Sequence, residues 1–366
     1  MSKNQTTKRK LGSVTHFFDL FPTPKFLEMS APGLAVEDGV VRFVEFSHQG
    51  KNLILKRYDS MKIPQGAIIA GEIVNPEILI STLNTFREKN NLNYVRCSLP
   101  EEKSYLFFGR IPKVGKSEIR TAVEFIIEEN VPLSVSESVF DYTVIGGGAD
   151  KNGEYVDVSV SVVSQEVVMQ YLEIFKKANL TPLHFEIESQ AVGRAVIKTG
   201  NKTPHLIINF FDGKIGLYIE SGGIIYFSST IPIAPVETTP SDNLAEDKNK
   251  KEEKKETKAS TPEIIKRPLP SKEIKSETER IISYWNSMFE KRGDAKIEIK
   301  KMIVCGLDAR NPDIEKNLAF LGMEMCLANV WENAFSFNDH IPEISRNESL
   351  EYAVTVGLAL PSAVIA

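Results

Sequence analysis

Cysteine is scarce in this 366-residue chain. Its three cysteines, Cys97, Cys305 and Cys326, stand far apart in apolar surroundings. They read as reduced core residues rather than as disulfides or metal ligands. The five histidines are scattered, with no His-Glu-x-x-His and no Cys-x-x-Cys, which argues against a zinc site. Charge of one sign is lacking too. Lys and Arg number 44 against 49 Asp and Glu, a net charge of -5, so there is no global basic field for nucleic acid. No run reaches the roughly 18 uninterrupted apolar residues of a membrane span. The polar, basic residues 1–10 are not followed by a signal-peptide core. A cytoplasmic protein is expected, with any membrane contact made through a partner or a peripheral segment.

The length suffices for two domains, each with its own core. Two hairpins of one design sit far apart, at residues 33–46 and 206–219, and each turns on an acid-glycine pair. The pairs are Asp38-Gly39 and Asp212-Gly213. Asp-Gly between apolar runs predicts a tight primed turn, because glycine supplies positive φ without steric cost. The repetition predicts two related domains facing each other.

Residues 1–12 have the composition of a flexible tail. Residues 16–27 are aromatic with two prolines, and fit either a leader packed on the first domain or an apolar anchor. Strands are expected through Ile63. Asn75 is placed to cap a helix with Pro76 at its first position and Leu79, Leu83 and Phe86 on one face. A strand-helix-strand-strand unit follows. It has strands at 104–110, 138–145 and 155–163, and a helix from Ser117 with the stripe Ile119, Ala122, Val123, Ile126, Ile127. Gly146-Gly147-Gly148 reads as a flexible turn, since it lacks the strand-to-helix setting of a phosphate loop. Ser164 is expected to cap a helix with Val167, Val168, Tyr171, Leu172 and Phe175 inside. Residues 236–272 carry a mixed-charge stretch with too little apolar surface to offset the entropy of ordering, and are expected to be disordered. Beyond them, Ile274, Thr278, Ile281, Ile282, Trp285 and Phe289 share a helix face. A strand is expected at 297–304, then a helix at 312–321, a strand at 323–327 and a closing helix at 347–360.

Several landmarks in order resemble the PilM family, the actin-like cytoplasmic components of type IV pilus assembly, themselves similar to the division protein FtsA. They are Gly33-Leu34 leading into Val41-Arg42-Phe43-Val44-Glu45, Ile111-Pro112 before the helix carrying Glu124, and Glu129-Asn130-Val131-Pro132-Leu133 with Asp141-Tyr142. Then come Ala178-Asn179-Leu180-Thr181-Pro182 before Glu186-Ile187-Glu188-Ser189-Gln190-Ala191, Thr278-Glu279-Arg280 before Ser283-Tyr284-Trp285, and a closing run over residues 352–359. The resemblance implies an α/β, actin-like fold of duplicated ribonuclease H-like domains with a small inserted subdomain. The implied boundaries are 1–27 for tail and leader, 28–102 with 185–200 for the first domain, 103–184 for the insertion and 201–366 for the second domain.

By the same resemblance the two hairpin turns would grip phosphates. The nucleotide-side positions are then Glu37, Asp38, Gly39, Asn209, Asp212, Gly213 and Gly306. They depart from the family pattern. Ala35 and Glu37 replace an aspartate and a glycine in the first turn, and Asn209 and Phe211 replace the same pair in the second. Alanine cannot organise magnesium as a carboxylate does, and phenylalanine blocks close backbone approach to phosphate. Ala234 and Pro235 stand where a glycine pair is expected, and Gly306 alone stands between Cys305 and Leu307. Glu186 and Glu188 are either water-orienting acids or exposed carboxylates at a helix start. The expectation is weak or absent ATP and magnesium binding, no catalytic residues and no resident metal. The implied role is an adaptor at the cytoplasmic face of the inner membrane. It would dock the cytoplasmic N-terminal peptide of a PilN-like membrane partner in a groove formed with residues 104–178. Homo-oligomers, as in FtsA-like filaments, are a further option. The alternative is an ATP-binding switch of the PilM/FtsA kind. A sugar kinase is less well supported, for want of a catalytic aspartate and a sugar pocket.

Overall fold

Two five-stranded sheets repeat one pattern. In a computed structural model, residues 31–361 are described except 50–51, 151–152, 234–269, 293–296, 308 and 310–311. The expectations for residues 1–27, for most of 236–272 and for Ala234 and Pro235 lie outside the described residues. The first part of the chain runs β1 (Gly33–Val36), β2 (Val40–Gln49), β3 (Asn52–Lys62), the short pair β4 (Ile68–Ile69) and β5 (Glu72–Ile73), α1 (Pro76–Asn90) and β6 (Tyr94–Leu99). After a 3-10 turn at Glu101–Lys103 come β7 (Ser104–Pro112), α2 (Ile119–Asn130), β8 (Ser138–Asp150), β9 (Gly153–Ser164), α3 (Gln165–Lys177), β10 (Thr181–Ile187) and α4 (Glu188–Val196). The rest is β11 (His205–Phe210), β12 (Lys214–Ser221), β13 (Ile224–Pro232), α5 (Ser271–Arg292), β14 (Lys301–Gly306), α6 (Pro312–Leu318), β15 (Glu324–Leu327), α7 (Arg346–Ser349) and α8 (Ala353–Ala359).

The first sheet has the order β10-β6-β1-β2-β3 and the second β13-β12-β11-β14-β15. In each, an antiparallel three-strand meander opens the half, and two parallel strands extend the sheet from its first strand. The helices around the two sheets correspond in order: α1 with α5, α3 with α6, α4 with α8. The largest unit without a counterpart is β7, α2, β8 and β9, whose strands form a separate sheet ordered β7-β9-β8; the short β4-β5 pair and α7 also have none. This is an α/β fold of two duplicated halves with one insertion.

Local chemistry explains the elements. The Asn75 side chain accepts from the backbone N–H of Ile78, Pro76 opens α1, and Leu79, Leu83 and Phe86 are buried. Ser164 accepts from Glu166 N–H at the start of α3. In α5, Ile274, Thr278, Ile281, Trp285 and Phe289 are buried along one face. Val158, Val160 and Val162 of β9 pack on Val123 and Ile127 of α2, giving the inserted sheet its own core. The core of the first half takes in Tyr171, Ile174 and Phe175 of α3, a helix inside the implied insertion boundary of 103–184. α8 packs on β1 and β2 of the first sheet, and α4 on β12 and β13 of the second, so these helices lie between the halves. They cross closely. A methyl placed on Gly357 would lie 1.8 Å from the Ala191 carbonyl oxygen.

Several expectations are corrected. Gly146, Gly147 and Gly148 lie within β8 rather than in a turn; the pairing with β9 shifts at Val144/Gly146, and a methyl on Gly148 would meet the Tyr155 hydroxyl at 2.8 Å. The tighter constraint is at Gly147, where a methyl would lie 2.6 Å from the Tyr155 backbone carbonyl oxygen on β9. Leu172 is exposed and Ile174 takes its place, because the buried stripe of α3 follows the spacing 171, 174, 175. Cys97 and Cys305 are buried free thiols, but Cys326 is only half-buried, on the edge strand β15. The closing segment is two short helices joined by a 3-10 turn at Leu350–Tyr352. The strand expected from 297 begins at Lys301, and α2 begins at Ile119 without a side-chain cap from Ser117. Neither Asp-Gly turn is primed. Asp38, Gly39 and Asp212 are not at positive φ, and only Gly213 is, at +94°. Two positive φ values occur together instead at Ala70-Gly71, between β4 and β5, and at Gly222-Gly223, between β12 and β13.

Candidate functional site

The two Asp-Gly turns face each other across a cleft between the halves, and long-range hydrogen bonds fix their shape. In the first, Glu37 N–H donates to the Val40 carbonyl at 2.9 Å, and Ile63 N–H donates to the Gly39 carbonyl at 2.9 Å. In the second, Phe211 N–H donates to the Lys214 carbonyl at 2.9 Å, and Ile233 N–H donates to the Gly213 carbonyl at 2.7 Å. The same bonds recur at matching places, which pairs Ala35 with Asn209, Glu37 with Phe211 and Gly39 with Gly213. The turns touch: a methyl on Gly39 would lie 2.3 Å from Asp212 Oδ2.

Side chains at the sequence-named positions are largely engaged elsewhere. Asp38 accepts from the N–H groups of Ala70 at 2.7 Å and Gly71 at 3.0 Å. Glu37 is buried and paired with Arg42 at 2.9 Å, and Arg42 reaches Glu351 at 2.8 Å. Burial pushes the Glu37 carboxyl up, with Arg42 pulling against it. Asn209 is buried and its Oδ1 accepts from the Cys305 thiol at 3.4 Å. Gly306, at φ +95°, packs against the end of β11; a methyl there would lie 2.1 Å from the Phe210 carbonyl oxygen. The structure thus brings Asn209 and Gly306 together, sets Gly39 against Asp212, and turns Glu37 away into an ion pair.

The cleft's charged centre lies on residues that the sequence either leaves unmarked or marks differently. Lys214, the first residue of β12, places Nζ 2.7 Å from Glu102 Oε2 and 2.7 Å from Glu188 Oε2. The same ammonium lies 4.7 Å from the Phe211 ring centre. Glu188 is 1% exposed. It is therefore not one of a pair of exposed carboxylates, and Glu186 sits near the end of β10, paired with Arg194. Glu101 accepts from Ser189 N–H at 2.9 Å and Ser189 Oγ–H at 3.0 Å. Two carboxylates hold one ammonium, and the charge of Lys214 also reaches Glu101. Burial pushes the Glu188 carboxyl up, against the pull of Lys214. Burial opposes the Lys214 charge, but Glu188 and Glu102 outweigh it and hold the ammonium above the ordinary lysine range. A lone lysine opening an apolar strand is the one signal in the sequence. Among the described residues, no cluster of three His, Cys, Asp or Glu is arranged to hold a metal ion.

A second concavity, of about 610 Å³, lies on the other side of α4. Its walls include Val139 and Phe140 of β8, Phe185 of β10, Arg194 of α4 and Ile225 of β13. β8 and β10 are each the last strand of their sheets, so two sheet edges border it. Gln190 donates to Ser161 Oγ at 2.9 Å inside it. Glu220 of β12 also contributes, its Oε1 accepting from Gly223 N–H at 2.6 Å. A groove beside the inserted unit is what the family resemblance implies; its far wall in the second half is not.

Residues 33–209 match the family model described as type IV pilus assembly protein PilM. Among solved structures, the chain is similar to the PilM-PilN type IV pilus biogenesis complex, at 19% identity and a TM-score of 0.64, covering 90% of this chain and 98% of that one. It is also similar to the ethanolamine utilization protein EutJ from Carboxydothermus hydrogenoformans, at 10% identity and a TM-score of 0.42, covering 90% and 88%. A Bacteroides thetaiotaomicron protein with an actin-like ATPase fold follows at 9% identity and 0.38, covering 84% and 93%. A search of curated proteins gives no match.

Proposed function

We propose, from the match of residues 33–209 to the PilM family model and from the actin-like fold, that this chain is a docking adaptor of type IV pilus assembly. Its partner is a PilN-like membrane protein, whose cytoplasmic N-terminal peptide lies in the groove bordered by β8 and β10. The observation that carries this reading is the pair of sheet edges on one cavity walled by both apolar and polar side chains. An extended peptide gains main-chain hydrogen bonds along such an edge and seats alternate side chains in the wall. No described helix is long and apolar enough to cross a membrane, so attachment at the inner membrane rests on the partner in this reading.

The cleft supports the adaptor reading over a nucleotide switch. Ala35 and Asn209 offer no carboxylate for magnesium, and Asp38 already holds two backbone N–H groups. Glu101, Glu102 and Glu188 already crowd the cleft beside Lys214 with negative charge, which disfavours a further anion. The residues present do not fit a metal-bound triphosphate. The test is fluorescence anisotropy with a labelled peptide copying the cytoplasmic end of a PilN-like protein. Saturable binding without nucleotide is expected, weakened at least tenfold by Thr143→Trp, which fills the groove from β8. Absence of binding, or binding indifferent to that substitution, refutes the reading.

A further inference from the structure

Lys214 belongs to the second half of the chain, yet both of its carboxylate partners belong to the first. Glu102 lies in the 3-10 turn after β6, and Glu188 opens α4. The socket is built entirely within that first half. Glu101 N–H donates to Glu188 Oε2 at 3.3 Å, while the Glu101 carboxylate holds the N–H and hydroxyl of Ser189. The Lys214 side chain is buried, and Phe211 covers it. The adjoining turns already touch at Gly39 and Asp212. A buried ammonium shared by two carboxylates at 2.7 Å is separable only by leaving charge unpaired in a poorly solvated place.

We propose that Lys214, Glu102 and Glu188 form a built-in strap that holds the two halves closed without nucleotide. The chain's own carboxylates supply at this cleft the negative charge that a bound phosphate would otherwise bring. The strap joins the N-terminal end of α4 to the first residue of β12, and these two elements also carry Arg194 and Glu220 of the groove. Closure therefore fixes the spacing of the groove walls, whatever the groove binds.

The test is a spin-label distance measurement on the full chain, with labels at Glu88→Cys in the first half and Lys300→Cys in the second, in a Cys326→Ser background. Both label sites are exposed, and Cys97 and Cys305 are buried. One narrow distance distribution is expected, unchanged by saturating ATP and magnesium. Lys214→Met is expected to widen the distribution at least twofold. An unchanged distribution in that variant, or a wild-type distribution that narrows only with ATP, overturns the strap. Should Lys214→Met fail to fold, Glu102→Gln leaves the Glu188 pair in place and is expected to give intermediate widening. A width equal to wild type in Glu102→Gln then overturns it as well.

Discussion

Replacing Glu220 with glutamine is expected to stabilise the protein at alkaline pH and to leave it nearly unchanged in mild acid. Glu220 stands opposite His205 across β12 and β11. Its Oε1 accepts from Gly223 N–H, while Oε2 is sealed from solvent without a hydrogen-bond partner, 3.9 Å from His205 Nδ1. Burial pushes this carboxyl from 4.5 up to about 7, against the pull of the Gly223 N–H. The folded state thus keeps a proton that the unfolded chain releases near pH 4.5. That contribution is complete below the unfolded value and is lost as pH rises through about 7. About 2.5 pH units at roughly 1.36 kcal/mol each give a total loss of about 3 kcal/mol, most of it above pH 5. Glutamine carries no charge, keeps an oxygen for Gly223 and offers an N–H to His205. The stability difference between variant and wild type should therefore widen by about 2.5 kcal/mol from about pH 5 to about pH 8, or about 4 °C in Tm for a chain this size. Scanning calorimetry of both proteins at steps across that range measures it. A difference that stays constant with pH, or shrinks as pH rises, refutes the assignment of a buried proton to Glu220.

Two other expectations concern the interface between the halves. Gly357→Ala should cost about 3 kcal/mol or more in urea unfolding, because the new methyl meets the Ala191 backbone and α8 cannot stay in place. Gly39→Ala should cost less than Gly357→Ala, because it meets the end of the Asp212 side chain rather than backbone; equal costs at both sites would contradict this packing. Saturating ATP with magnesium should shift Tm by less than about 1 °C, since a ligand stabilises only in proportion to its binding to the folded state. A clear upward shift in a thermal scan would restore the nucleotide-switch reading.

Much of the fold is legible because its signals are local. Asn75-Pro76 announces α1 by capping chemistry, and the valines of β9 announce a half-buried strand by alternation. The repeated Asp-Gly hairpins reveal the duplication, although neither turn is of the primed type that the dipeptide favours. Ile63 and Ile233, just past the ends of the neighbouring strands β3 and β13, bind the turn carbonyls, and that pairing across the meander overrides the local preference. The glycine run of β8 misleads as a turn signal because it lies inside a paired strand, where the backbone of Tyr155 on β9 comes close to Gly147. The candidate site is less legible. Nothing adjacent in sequence links Lys214 to Glu102 and Glu188, which come together only in the folded arrangement of the two halves. The groove's far wall, at Glu220 and Ile225, comes from the second half for the same reason.

Amide hydrogen exchange with and without the PilN-like peptide tests the docking claim most directly. The account predicts added protection along residues 138–144 and 183–187 and at 222–225, with residues 37–39 and 211–214 unchanged. Protection centred on those two turns instead, or none along β8 and β10, would contradict it.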